Sequence, residues 1–247
     1  MAIGFLHSYT NDVHERIARD LLREALPDVL VTLSAEVSPE FREFERFSTA
    51  CANAYVQPLM ARYLARFEEL RRARGFGCPL LLMLSSGGVT SVETAMRFPV
   101  RLVESGPAGG AMFAMNIANR AELGEVLSFD MGGTTAKICM IDKGGAQTSR
   151  SFEVARVYRF KKGSGLPLRI PVVEMVEIGA GGGSIARLDQ LQRVSVGPDS
   201  ASADPGPACY GRGGTNATVT DADLAMGRID PDAFAGGDIR RTGQSAD

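Results

Sequence analysis

The sequence predicts an α/β protein with mixed sheets and flanking helices, and three observations predict it. Apolar residues recur at helical spacing through much of the first third. Short apolar runs elsewhere stop at glycine-rich turns, as buried strands do. The second half reads mostly as strand-length runs separated by Pro, Gly and Ser loops, with one short helix.

The elements follow in order. His14 to Leu26 carries one stripe, Ile17, Leu21, Leu22, Ala25 and Leu26, and Pro27 stops it. Ser38 and Pro39 form an expected N-cap and first turn. Phe41, Phe44, Phe47, Cys51, Ala54 and Tyr55 continue as a helix; Pro58 is expected to kink or restart it before Leu59, Tyr63, Phe67 and Leu70 run on towards Gly75. Pro79 to Leu84 is expected as a buried strand ending at Ser85-Ser86-Gly87-Gly88. Ser105 to Gly110 leads into a helix ending near Ala121. Val126–Phe129 and Lys137–Ile141 are strands flanking Asp130 to Thr135, with a turn at Lys143-Gly144-Gly145. Phe152–Phe160 and Arg169–Ile178 are candidate strands around a turn from Lys161 to Gly165. Gly179 to Ser184 is a loop, Val194–Val196 a strand, and Gly197–Gly214 a long loop. Thr220–Met226 is a short helix capped by Thr220 or Asp221.

Composition removes several classes of function. The 247 residues suffice for one large domain or two small ones. Lys plus Arg number 27 against 29 Asp plus Glu, so no strong field points to nucleic acid or an acidic membrane. No apolar run approaches the roughly 18 residues of a membrane span, and the first residues lack the pattern of a signal peptide, so the cytoplasm is the expected location. Cys51, Cys78, Cys139 and Cys209 form no CxxC pair, and His7 and His14 have no HExxH context. The chemistry is therefore expected to rest on carboxylates, hydroxyls, backbone amides and a hard metal.

The motif that carries most is Leu127 to Lys137. A strand delivers Asp130 at its end, Gly132 and Gly133 let the turn fold round phosphate oxygens, and Thr134 and Thr135 bring hydroxyls. Asp130 suits Mg2+, which keeps several waters and needs few carboxylates. An ordinary hairpin with an Asx turn is the plain alternative. About twenty residues upstream, the small residues of Ser105 to Ala114 suit tight helix packing. A small-residue helix followed by strand, Asp-X-Gly-Gly-Thr and strand resembles the inter-lobe helix and second phosphate hairpin of the actin-like ATPase (ribonuclease H-like) superfamily.

A closer resemblance rests on longer strings: Phe5–Glu15, Glu36–Val56, Arg101–Ala111, Ser128–Ile138, Glu177–Asp189 and Val196–Pro231. Together they are similar to the hydantoinase A / 5-oxoprolinase family, related to the acetone carboxylase beta subunit, over about Ile3 to Gly237. The resemblance implies an incomplete two-lobed domain of the actin-like fold. Residues 1–122 would finish a first lobe with the crossover helix, 123–239 would open a second lobe with the phosphate hairpin, and 240–247 would be a disordered tail. It implies ATP and Mg2+ as cofactors, a small cyclic amide as substrate, and a hydantoinase B-type subunit or domain as partner. Asp130 and Thr134 would be catalytic. Asp130, Gly132, Gly133, Thr134, Thr135, Gly181, Gly182, Gly183 and Ser184 would bind the cofactor, with Asp130 on the metal. A ketone carboxylase subunit and a non-catalytic assembly piece stay open as alternatives. The family also carries an earlier phosphate hairpin and a later Phe-Gly-Gly-Ala-Gly-Pro segment, neither of which occurs here. The expectation is an internal piece of a longer chain, weak or inactive by itself.

Other candidates have plainer readings. Gly179 to Ser184 resembles a dinucleotide fingerprint but lacks the third spaced glycine, so a second phosphate-side loop is the reading that the resemblance favours. Cys209 has no nearby histidine to activate it and reads as a structural thiol. Asp221 and Asp223 suit a ligand or a helix N-terminus equally. Glu104 reads as a surface glutamate, His7 as half-buried at a strand end, and Arg71, Arg72 and Arg74 as a solvated helix end.

Overall fold

The computed structural model describes residues 1–158 and 163–233. The chain runs β1 (Ala2–Ile3), α1 (Val13–Ala25), β2 (Thr32–Leu33), α2 (Ser34–Val37), α3 (Glu43–Ala73), β3 (Leu81–Met83), β4 (Val89–Ser91) and α4 (Val92–Arg97). A 3-10 turn (Pro99–Leu102) precedes α5 (Ser105–Arg120). Then come β5 (Glu125–Met131), β6 (Ala136–Asp142), β7 (Gly145–Ala146), β8 (Thr148–Ser149), β9 (Phe152–Val154), β10 (Leu166–Leu168), β11 (Val172–Val173) and β12 (Val176–Ile178). β13 (Ser184–Leu188), β14 (Val194–Ser200), a 3-10 turn (Ala208–Tyr210) and α6 (Val219–Ala225) complete the described part. Two compact units emerge: Met1–Val126 with Ile141–Glu174, and Leu127–Met140 with the chain from Met175 onward. The mixed α/β class is as expected. The anticipated tail 240–247, and the parts of the candidate strand and turn at 159–162, lie outside the described residues.

The first unit joins β1 and β2 in parallel through α1. Among the described residues its apolar core includes two clusters. Val37, Val100, Leu168, Ile170 and Val172 form one cluster; Leu64, Val92 and Ala95 form the other. Much of the rest of the interior is polar. Glu15 and Arg46 are fully buried at 0% exposure. The Glu15 carboxylate accepts from the Phe5 and Ala35 amides and from the Ser8 and Ser34 hydroxyls. Arg46 donates to Ser34 Oγ and to the carbonyls of Glu40 and Phe5. These partners lie in the loop after β1, at the start of α2 and in the loop before α3, so the buried charges tie those three segments together.

Helix α3 corrects several expectations. It starts at Glu43 after Arg42, whose φ is 79°, while Ser38 closes α2 rather than capping α3. It runs unbroken through Pro58. Its buried face is polar: Asn53 bonds Thr32 Oγ1, the Arg97 carbonyl and the Val100 amide, and Gln57 bonds Thr32 and Arg97. These side chains bond backbone groups at the end of α4 and in the 3-10 turn that follows it. The apolar residues whose spacing marks the helix are largely exposed, with Tyr55 at 86%, Leu59 at 64% and Tyr63 at 60%. On α1, Ile17 and Leu21 are likewise exposed, and Glu15 is the residue that goes inside. The segment Pro79–Leu84 forms a half-exposed hairpin strand, β3 against β4, rather than a buried strand. His7 lies exposed in a turn at φ 57°, not half-buried at a strand end.

The second unit contains the sheet β12-β6-β5, with Val176, Glu177 and Ile178 of β12 opposite Ile138, Lys137 and Ala136 of β6. β13 and β14 form a separate antiparallel pair. The β14 strand extends to Ser200, beyond the expected Val196, and shortens the following loop. Among the described residues, no helix is long and apolar enough to cross a membrane.

Candidate functional site

The expected ligand residues fall in the second unit on two adjoining turns. The first is the hairpin turn between β5 and β6, closed by the Gly132 amide donating to the Thr135 carbonyl at 2.9 Å. The second is the loop from Gly179 to Ser184, held by Gly181 N donating to Ser184 Oγ at 2.9 Å and Ser184 N to Gly181 O at 3.0 Å. The two turns stack. Gly182 N donates to Gly132 O at 2.9 Å, and Gly183 N donates to Gly133 O at 2.7 Å.

The glycines are dictated by this stacking. A Cβ on Gly181 would lie 2.6 Å from Thr134 N and 2.7 Å from both Gly132 O and Gly133 C, all backbone atoms with no freedom to move aside. A Cβ on Gly183 would meet Ser200 Oγ at 2.9 Å and Gly133 O at 3.0 Å. Gly133 differs, because a Cβ there would meet nothing within 4 Å.

This arrangement orients the hairpin amides. A trans peptide is planar, with its N–H opposite its C=O. The only cis bonds among the described residues precede Pro198 and Pro205. With the Gly132 and Gly133 carbonyls both drawn to the glycine loop, the amides of Gly133 and Thr134 point away from it. Gly132, Gly133 and Thr134 are exposed. Among the described residues nothing accepts from the Gly133 or Thr134 amide. Two outward amides on one turn have the geometry that can accept an anion.

Asp130 lies near the end of β5, exposed, and among the described residues its carboxylate makes no hydrogen bond. The Thr134 side chain is exposed as well, and Thr135 is half-buried. No group of three or more His, Cys, Asp or Glu side chains is placed to hold a metal among the described residues. A cation here would have one carboxylate and must take most of its ligands from water and a bound anion, which suits Mg2+.

The glycine loop itself departs from the expectation of direct cofactor contact. The amides of Gly181, Gly182 and Gly183 are already donated within the protein, and Gly181, Gly183 and Ser184 are buried. What the loop has to offer is support for the hairpin. Sequence reasoning missed the third member, Thr220, whose amide and hydroxyl both donate to Gly182 O at 2.8 Å. Its position in α6 is set by a capping box in which Thr218, not Thr220 or Asp221, is the N-cap and Asp221 is the third helical residue. The Thr218-X-X-Asp221 spacing was the available signal.

Asp221 is a structural anchor. Its carboxylate accepts from the amides of Ala208, Cys209 and Thr218 and from the Thr218 hydroxyl. Burial acts to raise its pKa, yet the hydrogen bonds from Cys209 and Thr218 outweigh it and hold the group below its ordinary value. Cys209 is buried beneath it, as a structural thiol should be. Asp223 pairs with Arg228. In the first unit, Glu104 is the left-handed residue before α5, at φ 59°, and is half-buried rather than a surface glutamate.

Residues 46–247 match the sequence profile of the Hydantoinase/oxoprolinase family. The chain belongs to the hydantoinase/oxoprolinase family. Caprolactamase subunit alpha of Pseudomonas jessenii is 39% identical over all of this chain and 34% of its own length. The crystal structure of the ATP-dependent caprolactamase from that organism superposes with a TM-score of 0.75 at 38% identity, over 100% of this chain and 35% of that one. The 5-oxoprolinase of Saccharomyces cerevisiae is 34% identical over 95% of this chain and 17% of its own length. A nucleotide-free acetone carboxylase structure aligns with a TM-score of 0.73 at 28% identity, over 97% of this chain and 33% of that chain. This hydantoinase/oxoprolinase chain thus spans 17% to 35% of the length of these relatives.

Proposed function

We propose that this chain carries a phosphate-binding hairpin of an ATP-dependent enzyme acting on cyclic amides, within an actin-like fold whose second lobe opens near residue 123. The single observation behind the reading is the pair of outward amides, Gly133 and Thr134, fixed by the glycine loop beside Asp130. Two relatives point to the substrate class, since caprolactam and oxoproline are both cyclic amides.

In this reading the Gly133 and Thr134 amides and the Thr134 hydroxyl hold oxygens of the γ-phosphoryl group, and Thr135 lies behind them at the start of β6. Asp130 would hold Mg2+ through its water shell, and the ion would neutralise phosphate charge. The amide carbonyl oxygen attacks the γ-phosphorus, the bond to the bridging β-phosphate oxygen breaks, and ADP leaves with the electron pair. Water then adds to the phosphorylated carbon, its proton passes to the ring nitrogen, and the C–N bond breaks to give an amine and an acyl phosphate. A second water hydrolyses the acyl phosphate to the carboxylate and inorganic phosphate. Relatives named as subunits support a partner chain, and a hydantoinase B-type subunit or domain is the partner proposed for that second half. Gly181, Gly182, Gly183 and Ser184 act as the buttress of the hairpin rather than as ligands.

A second reading follows from the acetone carboxylase likeness: the same hairpin serving activation of a ketone and a carboxylate. Titration of the chain with Mg-ATP, with wild type and Asp130→Ala in parallel, tests what the two readings share. Saturable heat from the wild type that the variant loses supports it. Equal heat from both overturns the assignment of Asp130. Turnover assays of the full-length subunit with its partner, using a lactam against a ketone plus bicarbonate, separate the readings. Turnover by this chain alone is expected to be weak or absent.

A further inference from the structure

We infer that Thr220 is the positioning residue of the hairpin, acting through two peptide planes that end at the outward amide of Thr134. The inference rests on the phosphate reading of that hairpin. The Thr220 hydroxyl and amide both grip Gly182 O at 2.8 Å. That carbonyl shares a plane with the N–H of Gly183, which points the opposite way. The Gly183 N–H grips Gly133 O at 2.7 Å. The Gly133 carbonyl in turn shares a plane with the N–H of Thr134. Fixing the orientation of the first plane therefore fixes the second, and with it the direction in which the Thr134 amide points.

Three further facts make Thr220 the end of the chain of bonds rather than a passive neighbour. Gly182 leaves room for the hydroxyl, since a Cβ there would lie 2.7 Å from Thr220 Oγ1. Thr220 is itself buried. Its backbone is held by the Thr218–Asp221 capping box, which also ties down the loop at Ala208 and Cys209. Hydrogen bonds in series polarise one another, so the Thr134 amide is a better donor with the whole series intact. The ligand at its end is an anion of the phosphate class.

The test is titration of the chain with Mg-ATP, and separately with Mg-pyrophosphate, for wild type, Thr220→Val and Thr220→Ser. Val keeps the shape and removes the hydroxyl; Ser keeps the hydroxyl. The expected result is about fivefold weaker binding in T220V, the loss of one neutral hydrogen bond, with T220S close to wild type. Backbone hydrogen exchange supplies the second readout: the Gly183 amide exchanges faster in T220V and is restored in T220S. Wild-type affinity and unchanged exchange in T220V overturn the inference. If wild type binds neither ligand, the phosphate reading falls, and exchange at Gly183 still decides whether Thr220 sets the loop. Thr220→Ala replaces the valine variant in the same comparison if the latter does not fold.

Discussion

The amide of Gly183 donates to the carbonyl of Gly133 across 2.7 Å, and this bond joins the buried glycine loop to the exposed hairpin turn. Its neighbour from Gly182 to Gly132 runs alongside at 2.9 Å. Of the two glycine-rich turns, one is buried and holds the other, which is exposed.

That division predicts opposite outcomes for two similar substitutions. Gly133→Ala places a methyl in open space and is expected to leave thermal stability within about 0.5 kcal/mol, while obstructing an anion at the outward amides. Gly181→Ala drives a methyl into three backbone atoms at 2.6 to 2.7 Å and is expected to cost about 2 kcal/mol or more, as overpacking does. Thermal melts followed by Mg-ATP titration check both. A stable G181A alongside an unfolded G133A would reverse the roles assigned to the two turns.

Acid stability should follow the buried carboxylates. Burial acts to raise the Glu15 pKa, but hydrogen bonds from Ala35, Ser34, Ser8 and Phe5 outweigh it, so the folded value lies below the ordinary one. Asp221 is held down in the same direction. A depressed folded pKa gives stability that is present above the unfolded value, about 4, and is lost as pH falls through the folded value. Melting temperature should stay level from pH 7 to about 5 and fall below about 4. Glu15→Gln should lower stability at pH 7, by about 2 kcal/mol, and flatten that fall. An unchanged acid profile in the variant would remove Glu15 from the account.

Pro58 lies exposed within α3 and has no N–H to give to the preceding turn. Pro58→Ala restores the donor and is expected to raise the melting temperature, by up to about 3 kcal/mol in stability. A lower melting temperature would mean that the ring makes a contact more valuable than the bond.

Thiol labelling reads the burial of the cysteines. Cys51 and Cys78 are exposed, Cys139 and Cys209 buried, and burial pushes the Cys139 thiol up in pKa. A disulfide reagent should modify the first pair promptly and the second pair only on unfolding. Rapid labelling of Cys209 in the folded chain would contradict its place beneath Asp221.

Legibility in the sequence followed the range of the interactions. The hairpin from Glu125 to Asp142 was readable because strand, turn and strand are contiguous and Gly132-Gly133 names its own turn. The helices α1 and α3 were readable by period, but the side they bury was not; the small residues of α5 did mark its buried side, at Ala108 and Ala111. Apolar Ile17, Leu59 and Tyr63 face outward while Glu15, Arg46 and Asn53 go inside. Burial of those polar groups depends on partners 6 to 47 residues away, many of them outside the helix, such as Phe5 for Glu15 and Val100 for Asn53, which periodicity does not see. That the Gly181 to Gly183 amides are taken up by Ser184, Gly132 and Gly133 was hidden for the same reason. A glycine run looks alike whether a ligand or a neighbouring backbone approaches it. The Thr220 contact spans 38 residues and has no local signature.

The central claim is that the hairpin amides face an anion while the loop amides hold the hairpin. Nuclear magnetic resonance of the chain titrated with Mg-ATP reads the four amides separately. The account predicts that the Gly133 and Thr134 resonances shift with nucleotide concentration while Gly182 and Gly183 stay protected from exchange throughout. Shifts confined to Gly182 and Gly183, with Gly133 and Thr134 unmoved, would contradict it.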